Sequence, residues 1–359
     1  MQRICIRAGK RALEMIRDGG FRFDRVAAYV GPGVGPRWLT ASGFDLTFLR
    51  SGALGSKSRP VLLAGSSAGA WRFAAWLQPE PEKSYRRLLE AYIGIPCDRR
   101  STPASLKRAL QDVVNTYLED DAIPFALAHD RYRLAVTTAR AKNFAASETP
   151  WVQKAGLALC YAFNRLDRRH LFRFFERVIF YSGPLPPPFC FRPGFRGTTV
   201  ALTPVNFKHA VLASGAIPLV IEGVTDIYGA PRGVYRDGGV IDYHLDHDYA
   251  VRPDDTTLLF HHDERVIPGW LDKKIKGRKP RAEALDSLLV VTPSPQFVET
   301  FPGAKIPDRD DFLSFIDDPA GRILKWRKVV ELCAPLGEEF VEQVQSGRIR
   351  QAAEPLSLE

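Results

Sequence analysis

The sequence predicts an α/β fold: a central, mostly parallel sheet flanked by helices, with helical insertions. Three observations lead there. Apolar runs of strand length alternate with stretches of helical periodicity. Most of those runs are apolar on both faces, as the strands of a covered parallel sheet are. Two of them end in glycine-rich turns that lead straight into a helical pattern.

The strand runs are RVAAYV (25–30), PVLLAG (60–65), RLAVTTAR (133–140), TTLLFHH (256–262) and LLVVTP (288–293). Helical stretches are expected at roughly 36–50, 68–77, 82–93, 103–119, 150–180, 204–214 and 311–345. The first twenty residues read as an amphipathic helix, with Ala12, Leu13 and Ile16 on one side. The helical blocks before 133 and at 150–180 look like insertions or a cap. Residues 182–195, SGPLPPPFCFRPGF, are too rich in proline for regular structure. No linker interrupts the 359 residues, so a single domain is expected over 1–359.

Composition narrows the class. Hydrophobic residues make up 45% and charged residues 25%, the balance of a globular protein with a sizeable core. No apolar run reaches bilayer-spanning length. The N-terminal stretch lacks the continuous apolar core of a secretory signal, so a cytoplasmic protein is expected. Five scattered cysteines without a Cys-x-x-Cys pair point to a reduced compartment and no structural zinc. The net charge of +9 suits anionic partners, but no motif for nucleic acid accompanies it.

The chemistry starts at VLLAGSSAGAWRFAAWL, residues 61–77. Gly65-Ser66-Ser67-Ala68-Gly69 sits where a buried strand becomes a helix. A Gly-x-Ser-x-Gly turn in that context is a nucleophile elbow. The turn strains the serine backbone, and the flanking glycines remove side chains that would clash. The hydroxyl then stands at a helix N-terminus, where free amides favour developing negative charge. Ser67 is the central serine; Ser66 should point elsewhere. A second glycine-rich loop, GPGVGPRWL (31–39), follows the first long strand run and suits an oxyanion hole. Its glycine spacing does not match a dinucleotide fold. VYRDGGVID (234–242) fixes Asp237 at a turn beside two glycines.

Taken together, GPGVGPRW, GSSAG and DGG resemble the patatin-like phospholipase family. The segment LASGAIP (212–218) is similar to the one that often precedes the aspartate there. The resemblance covers about residues 25–245 and gives little guidance over 250–345. It implies a three-layer patatin-like fold and a Ser–Asp dyad. Ser67 would attack an acyl carbonyl and Asp237 would take its proton, with no cofactor and no metal. It further implies a substrate loop of Gly33, Val34, Gly35 and Arg37, an elbow flanked by Gly65 and Gly69, and an Asp-Gly-Gly motif completed by Gly238 and Gly239. Val34 and Trp38 replace glycines of the usual loop, although GVGPRW is similar to a looser Gly-Gly-Pro-Lys-Trp form. Arg37 would brace the loop or bind a lipid phosphate. The substrate expected is a lipid ester or phospholipid.

Other readings stand beside this one. His244, His247, His261 or His262 could complete a Ser-Asp-His triad of a thioesterase or acyltransferase. DYHLDHD (242–248) suggests a metal site on sight but lacks a recognised ligand spacing. The same fold could also serve as a catalytically idle lipid-binding or scaffold protein. Finally, residues 268–281, PGWLDKKIKGRKPR, set an aromatic beside a polybasic run, which suits peripheral contact with an anionic membrane surface.

Overall fold

The computed structural model describes residues 2–357. Their strands are β1 (Ile4–Ala8), β2 (Val26–Gly31), β3 (Val61–Ser66), β4 (Tyr132–Ala141), β5 (Phe175–Tyr181), β6 (Thr198–Ala201), β7 (Val224–Thr225), β8 (Val234–Asp237), β9 (Thr256–Phe260), β10 (Leu288–Pro293) and β11 (Ala353–Pro355). All belong to one 11-stranded sheet, ordered β11-β1-β10-β9-β2-β3-β4-β5-β6, with β8 on β4 and β7 on β8. The central neighbours β10, β9, β2, β3 and β4 run parallel. Antiparallel pairs stand at β1–β10, β4–β5, β4–β8 and β7–β8. The fold is therefore a mixed, mostly parallel α/β sheet flanked by helices.

The first eight α-helices are α1 (Lys10–Gly19), α2 (Ser42–Ser51), α3 (Ala68–Trp76), α4 (Pro81–Ile93), α5 (Pro103–Tyr117), α6 (Ile123–Leu127), α7 (Pro150–Leu166) and α8 (Phe207–Ser214). Side-chain alternation explains the doubly apolar strands. In β10, Leu289 and Val291 enter the large core beneath the helices, while Leu288 and Val290 enter a smaller core on the opposite face. Phe189, from a short 3-10 helix, and Leu245 and Tyr249, from loops, cover that smaller core.

Several expected elements differ. Residues 150–180 are not one helix. It ends at Leu166, Asp167 caps a 3-10 turn through the Arg169 amide, and Phe175–Tyr181 is strand β5. The arginine spacing in 164–175 imitates a helical stripe, while the aromatic and β-branched FERVIFY packs between β4 and β6. The first twenty residues divide into the alternating strand ICIRA and a helix that does bury Ala12, Leu13 and Ile16. The stretch 36–50 begins as a 3-10 helix, Gly35–Ala41, before α2. The expected helix 311–345 is three: Asp310–Ser314, Pro319–Cys333 and Leu336–Gln345. Pro319 and Pro335 explain the breaks, since proline starts a helix more readily than it continues one.

One buried network locks α3 in place. Every α3 residue is buried, including Arg72. Its guanidinium grips Asp45 of α2 at 2.7 and 2.8 Å. Tyr29 of β2 donates to the same carboxylate at 2.5 Å, and Tyr85 of α4 donates to it as well. A buried pair that loses one partner leaves a charge in a low-dielectric interior. Asp45→Ala is therefore expected to cost about 3–5 kcal/mol of stability, read as a shift in the urea midpoint.

Candidate active site

The sheet brings two distant segments together on one edge of β4. β5 occupies the other edge across residues 135–141. On the near edge, β3 pairs with the first part of β4 and sets Ser66 opposite Thr137. There β8 takes over, antiparallel, with Asp237 opposite Thr138. Adjacent residues of one strand thus hold the ends of β3 and β8. Ser67 Oγ donates to Asp237 Oδ2 at 2.7 Å, across 170 positions of sequence. Both residues are 4% exposed.

Ser67 bridges β3 and α3 with φ 52° and ψ −125°. A non-glycine residue rarely adopts that conformation, and it persists only where the surroundings enforce it. Close backbone approach does so here. A Cβ on Gly65 would lie 2.5 Å from the Ala70 amide nitrogen, and one on Gly69 would lie 1.9 Å from the Gly31 carbonyl oxygen. The Ser67 amide donates to Ser214 Oγ at 2.8 Å, and Ser214 donates in turn to the Thr137 carbonyl at 2.6 Å. The Asp237 amide donates to the Ala216 carbonyl at 2.9 Å. Thus LASGAIP ties down both Ser67 and Asp237. The Ser66 hydroxyl is buried with no hydrogen-bond partner among the described residues.

The second carboxylate oxygen of Asp237 accepts the Gly239 amide at 2.7 Å. Gly238 has no room for a side chain, because a Cβ would stand 2.1 Å from the Thr137 carbonyl oxygen. Burial raises the Asp237 pKa above the ordinary aspartate value. The charges of Arg309 and Lys273 and the hydrogen bonds from Ser67 and Gly239 oppose that shift only in part.

The residues of the expected substrate loop differ in their hydrogen bonding. The Gly33 amide donates to the Tyr243 carbonyl at 2.8 Å and the Val34 amide to the Pro32 carbonyl at 3.0 Å. Val34 has φ −97°, comfortable for a β-branched residue, and Gly35 takes the positive φ of 58°. The amides of Gly35 and Ala68 have no partner among the described residues. Trp38 packs edge-on against Tyr85 and Tyr92. Arg37 lies 3.6 Å from Asp308.

The histidines are brought together elsewhere. His244 and His261 contact each other at 3.2 Å, and burial keeps both on the neutral side, His261 at about 4. His262 packs on His261. His247 lies 3.4 Å from Asp242, which Arg177 holds through two bonds of 2.5 and 2.6 Å. None of these rings is hydrogen-bonded to Ser67 or Asp237. Among the described residues no group of three or more His, Cys, Asp or Glu side chains is placed to hold a metal ion.

A cavity of about 890 Å³ opens on Ser67, with Gly35 and Ala68 beside it and Trp71, Tyr92, Leu110 and Phe312 among its apolar walls. Val220 and Leu313, 44% and 73% exposed, mark its mouth. Sequence reasoning missed this space, because its walls come from α3, α4, α5 and the segments 95–101, 217–221 and 309–316, far apart in sequence. It also missed Arg309, which carries no motif. The run 268–281 is split: Trp270 packs on the core, Lys273 sits 4.0 Å over the Tyr243 ring, and Lys274, Lys276 and Lys279 stay exposed. Among the described residues no helix is long and apolar enough to cross a membrane.

No family model and no curated protein matches the chain, so the patatin-like resemblance rests on its ordered motifs. Among solved structures the chain is similar to human GIVD cytosolic phospholipase A2, at 13% identity and a TM-score of 0.39. The match covers 95% of this chain and 62% of that one.

The raised Asp237 pKa has a stability consequence. The folded state holds this proton more tightly than the unfolded chain does. The resulting stabilisation is complete below the ordinary aspartate pKa and is lost as pH rises through the raised folded value. Asp237→Asn escapes that loss. Its melting temperature at pH 7 is expected to equal or exceed wild type, with the gap closing as pH falls toward 4, within the usual range of about 3.9 for an unperturbed aspartate.

Proposed function

We propose that the protein is a serine acyl hydrolase of lipid esters, of phospholipase or lysophospholipase type. The observation that carries the reading is the 2.7 Å bond from Ser67 Oγ to a buried carboxylate, at a strained elbow beneath an apolar cavity. An elbow alone could be a turn, and a cavity alone could be a binding pocket. Their coincidence with a carboxylate base is what nucleophilic catalysis requires.

In this reading the acyl chain lies in the cavity with the ester carbonyl over Ser67. Asp237 takes the hydroxyl proton as Oγ attacks. Its burial brings the carboxylate closer to the basicity needed near neutral pH. The amides of Gly35 and Ala68, free of other partners, receive the developing oxyanion; those of Gly33 and Val34 hold the loop. The tetrahedral intermediate collapses, the protonated Asp237 returns its proton to the departing alkoxide, and an acyl-serine remains. Water then attacks with Asp237 again accepting a proton. Expulsion of Ser67, which regains that proton, releases the fatty acid. Arg37, held by Asp308, steadies the loop.

Hydrolysis of p-nitrophenyl esters and of a mixed phospholipid panel tests this, with each variant checked for folding by circular dichroism. Ser67→Ala and Asp237→Asn are expected to lose at least about a thousandfold in kcat/KM, and His247→Ala to keep its rate. Activity should fall in acid as Asp237 is protonated. A dead His247→Ala would replace the dyad by a triad. A wild type silent toward every ester would leave the cavity as that of an idle lipid-binding protein.

A further inference from the structure

Arg309 is a cation on the wall of the main cavity. It sits in the acid-rich segment PDRDD, yet its guanidinium has no ion pair and no hydrogen bond among the described residues. None of the neighbouring carboxylates pairs with it, not even Asp310, which lines the same cavity. Asp308 faces Arg37 and Lys305, and Asp311 binds Lys325 and the Trp326 indole. Arg309 packs instead over the substrate loop, where a Cβ on Gly35 would lie 3.2 Å from its Nε. It lines the main cavity together with Ser67, and it also borders the small space beyond Asp237, between Gly33, Gly239 and Trp270.

Two more cations share this neighbourhood. Lys273, over the Tyr243 ring, has no carboxylate partner among the described residues. Burial, with the charges of Arg309 and Arg37, draws its pKa down to about 7. The nearby Asp237 offsets this only in part, and it forms no ion pair with Arg309 or Lys273. Holding like charges together in a half-buried site costs stability. A bound anion would reverse that cost, and a guanidinium matches phosphate oxygens through two parallel bonds.

Resting on the acyl-hydrolase reading above, we propose that Arg309 anchors a phosphate of the substrate. The preferred substrate is then a lipid ester whose phosphate lies a few bonds from the scissile carbonyl. The acyl chain fills the apolar cavity, while the phosphate meets Arg309 on the dyad side. Arg309 is a specificity-determining residue, distinct from Arg37, whose charge faces Asp308.

The test uses a matched pair of substrates, 1-oleoylglycerol and 1-oleoylglycerol 3-phosphate, in the same neutral detergent micelles. They differ only in the phosphate. Wild type is expected to favour the phosphate ester by about 10- to 100-fold in kcat/KM, the range of a hydrogen-bonded charge pair. Arg309→Gln should collapse that preference, chiefly through KM, and Arg309→Lys, which keeps the charge without the fork, should retain part of it. A wild type that does not discriminate between the two overturns the proposal. So does Arg309→Gln lowering kcat for both substrates with the preference intact, since Arg309 would then act on the reacting carbonyl. Fluorescence titration of Ser67→Ala protein with the same pair reads the anchor without turnover. Tighter binding of the phosphate ester, lost on adding Arg309→Gln, supports the anchor even if the hydrolase reading fails. Equal binding of both ligands refutes it even if hydrolysis is found.

Discussion

The backbone of Ser67 is the constraint on which the site depends. A serine at φ 52° is strained by about 1–3 kcal/mol, and it relaxes unless its neighbours hold it. They hold it by contact. Gly69 rests against Gly31 of the neighbouring strand and Gly65 against Ala70, distances that any side chain would abolish. The Ser214 hydroxyl binds the Ser67 amide, and the Asp45–Arg72 pair fixes the helix that follows. These supports come from α2, α8, β2 and β4, so the serine reports on the packing of much of the large core.

The electrostatics oppose one another within a few ångströms. Burial raises the pKa of Asp237, which makes it a better base, while Arg309 and Lys273 stabilise its charged form. The net shift is still upward. The cations that weaken the base also make the surrounding space favourable to anions. In the proposed mechanism, catalysis and anion recognition thus pull on the same carboxylate, and its second bond to Gly239 keeps it oriented toward Ser67.

What was legible in the sequence was local. The elbow is written in five adjacent residues, and the Asp-Gly-Gly turn in three. The doubly apolar runs gave the central parallel strands nearly to the residue, because their burial on both faces leaves no other period. What was illegible depends on partners far along the chain. FERVIFY becomes a strand because β4 and β6 flank it, and its arginine-rich approach hid that. The junction of β3 and β8 on one edge of β4 is a fact of pairing, with no signature in either strand. Val34 stands where the usual loop has a glycine, yet the next residue, Gly35, carries the positive φ. Lys273 read as part of a polybasic surface because charge runs are usually solvated, whereas here one lysine of the run turns inward.

The central claim is that Ser67 is a nucleophile activated by Asp237. Its most direct test is peptide mapping by mass spectrometry after treatment with a fluorophosphonate. The account predicts one phosphonyl adduct, on Ser67, formed more slowly as pH falls through the Asp237 pKa and absent in Asp237→Asn. An unmodified Ser67, or an adduct on Ser66 that is indifferent to Asp237, would contradict it.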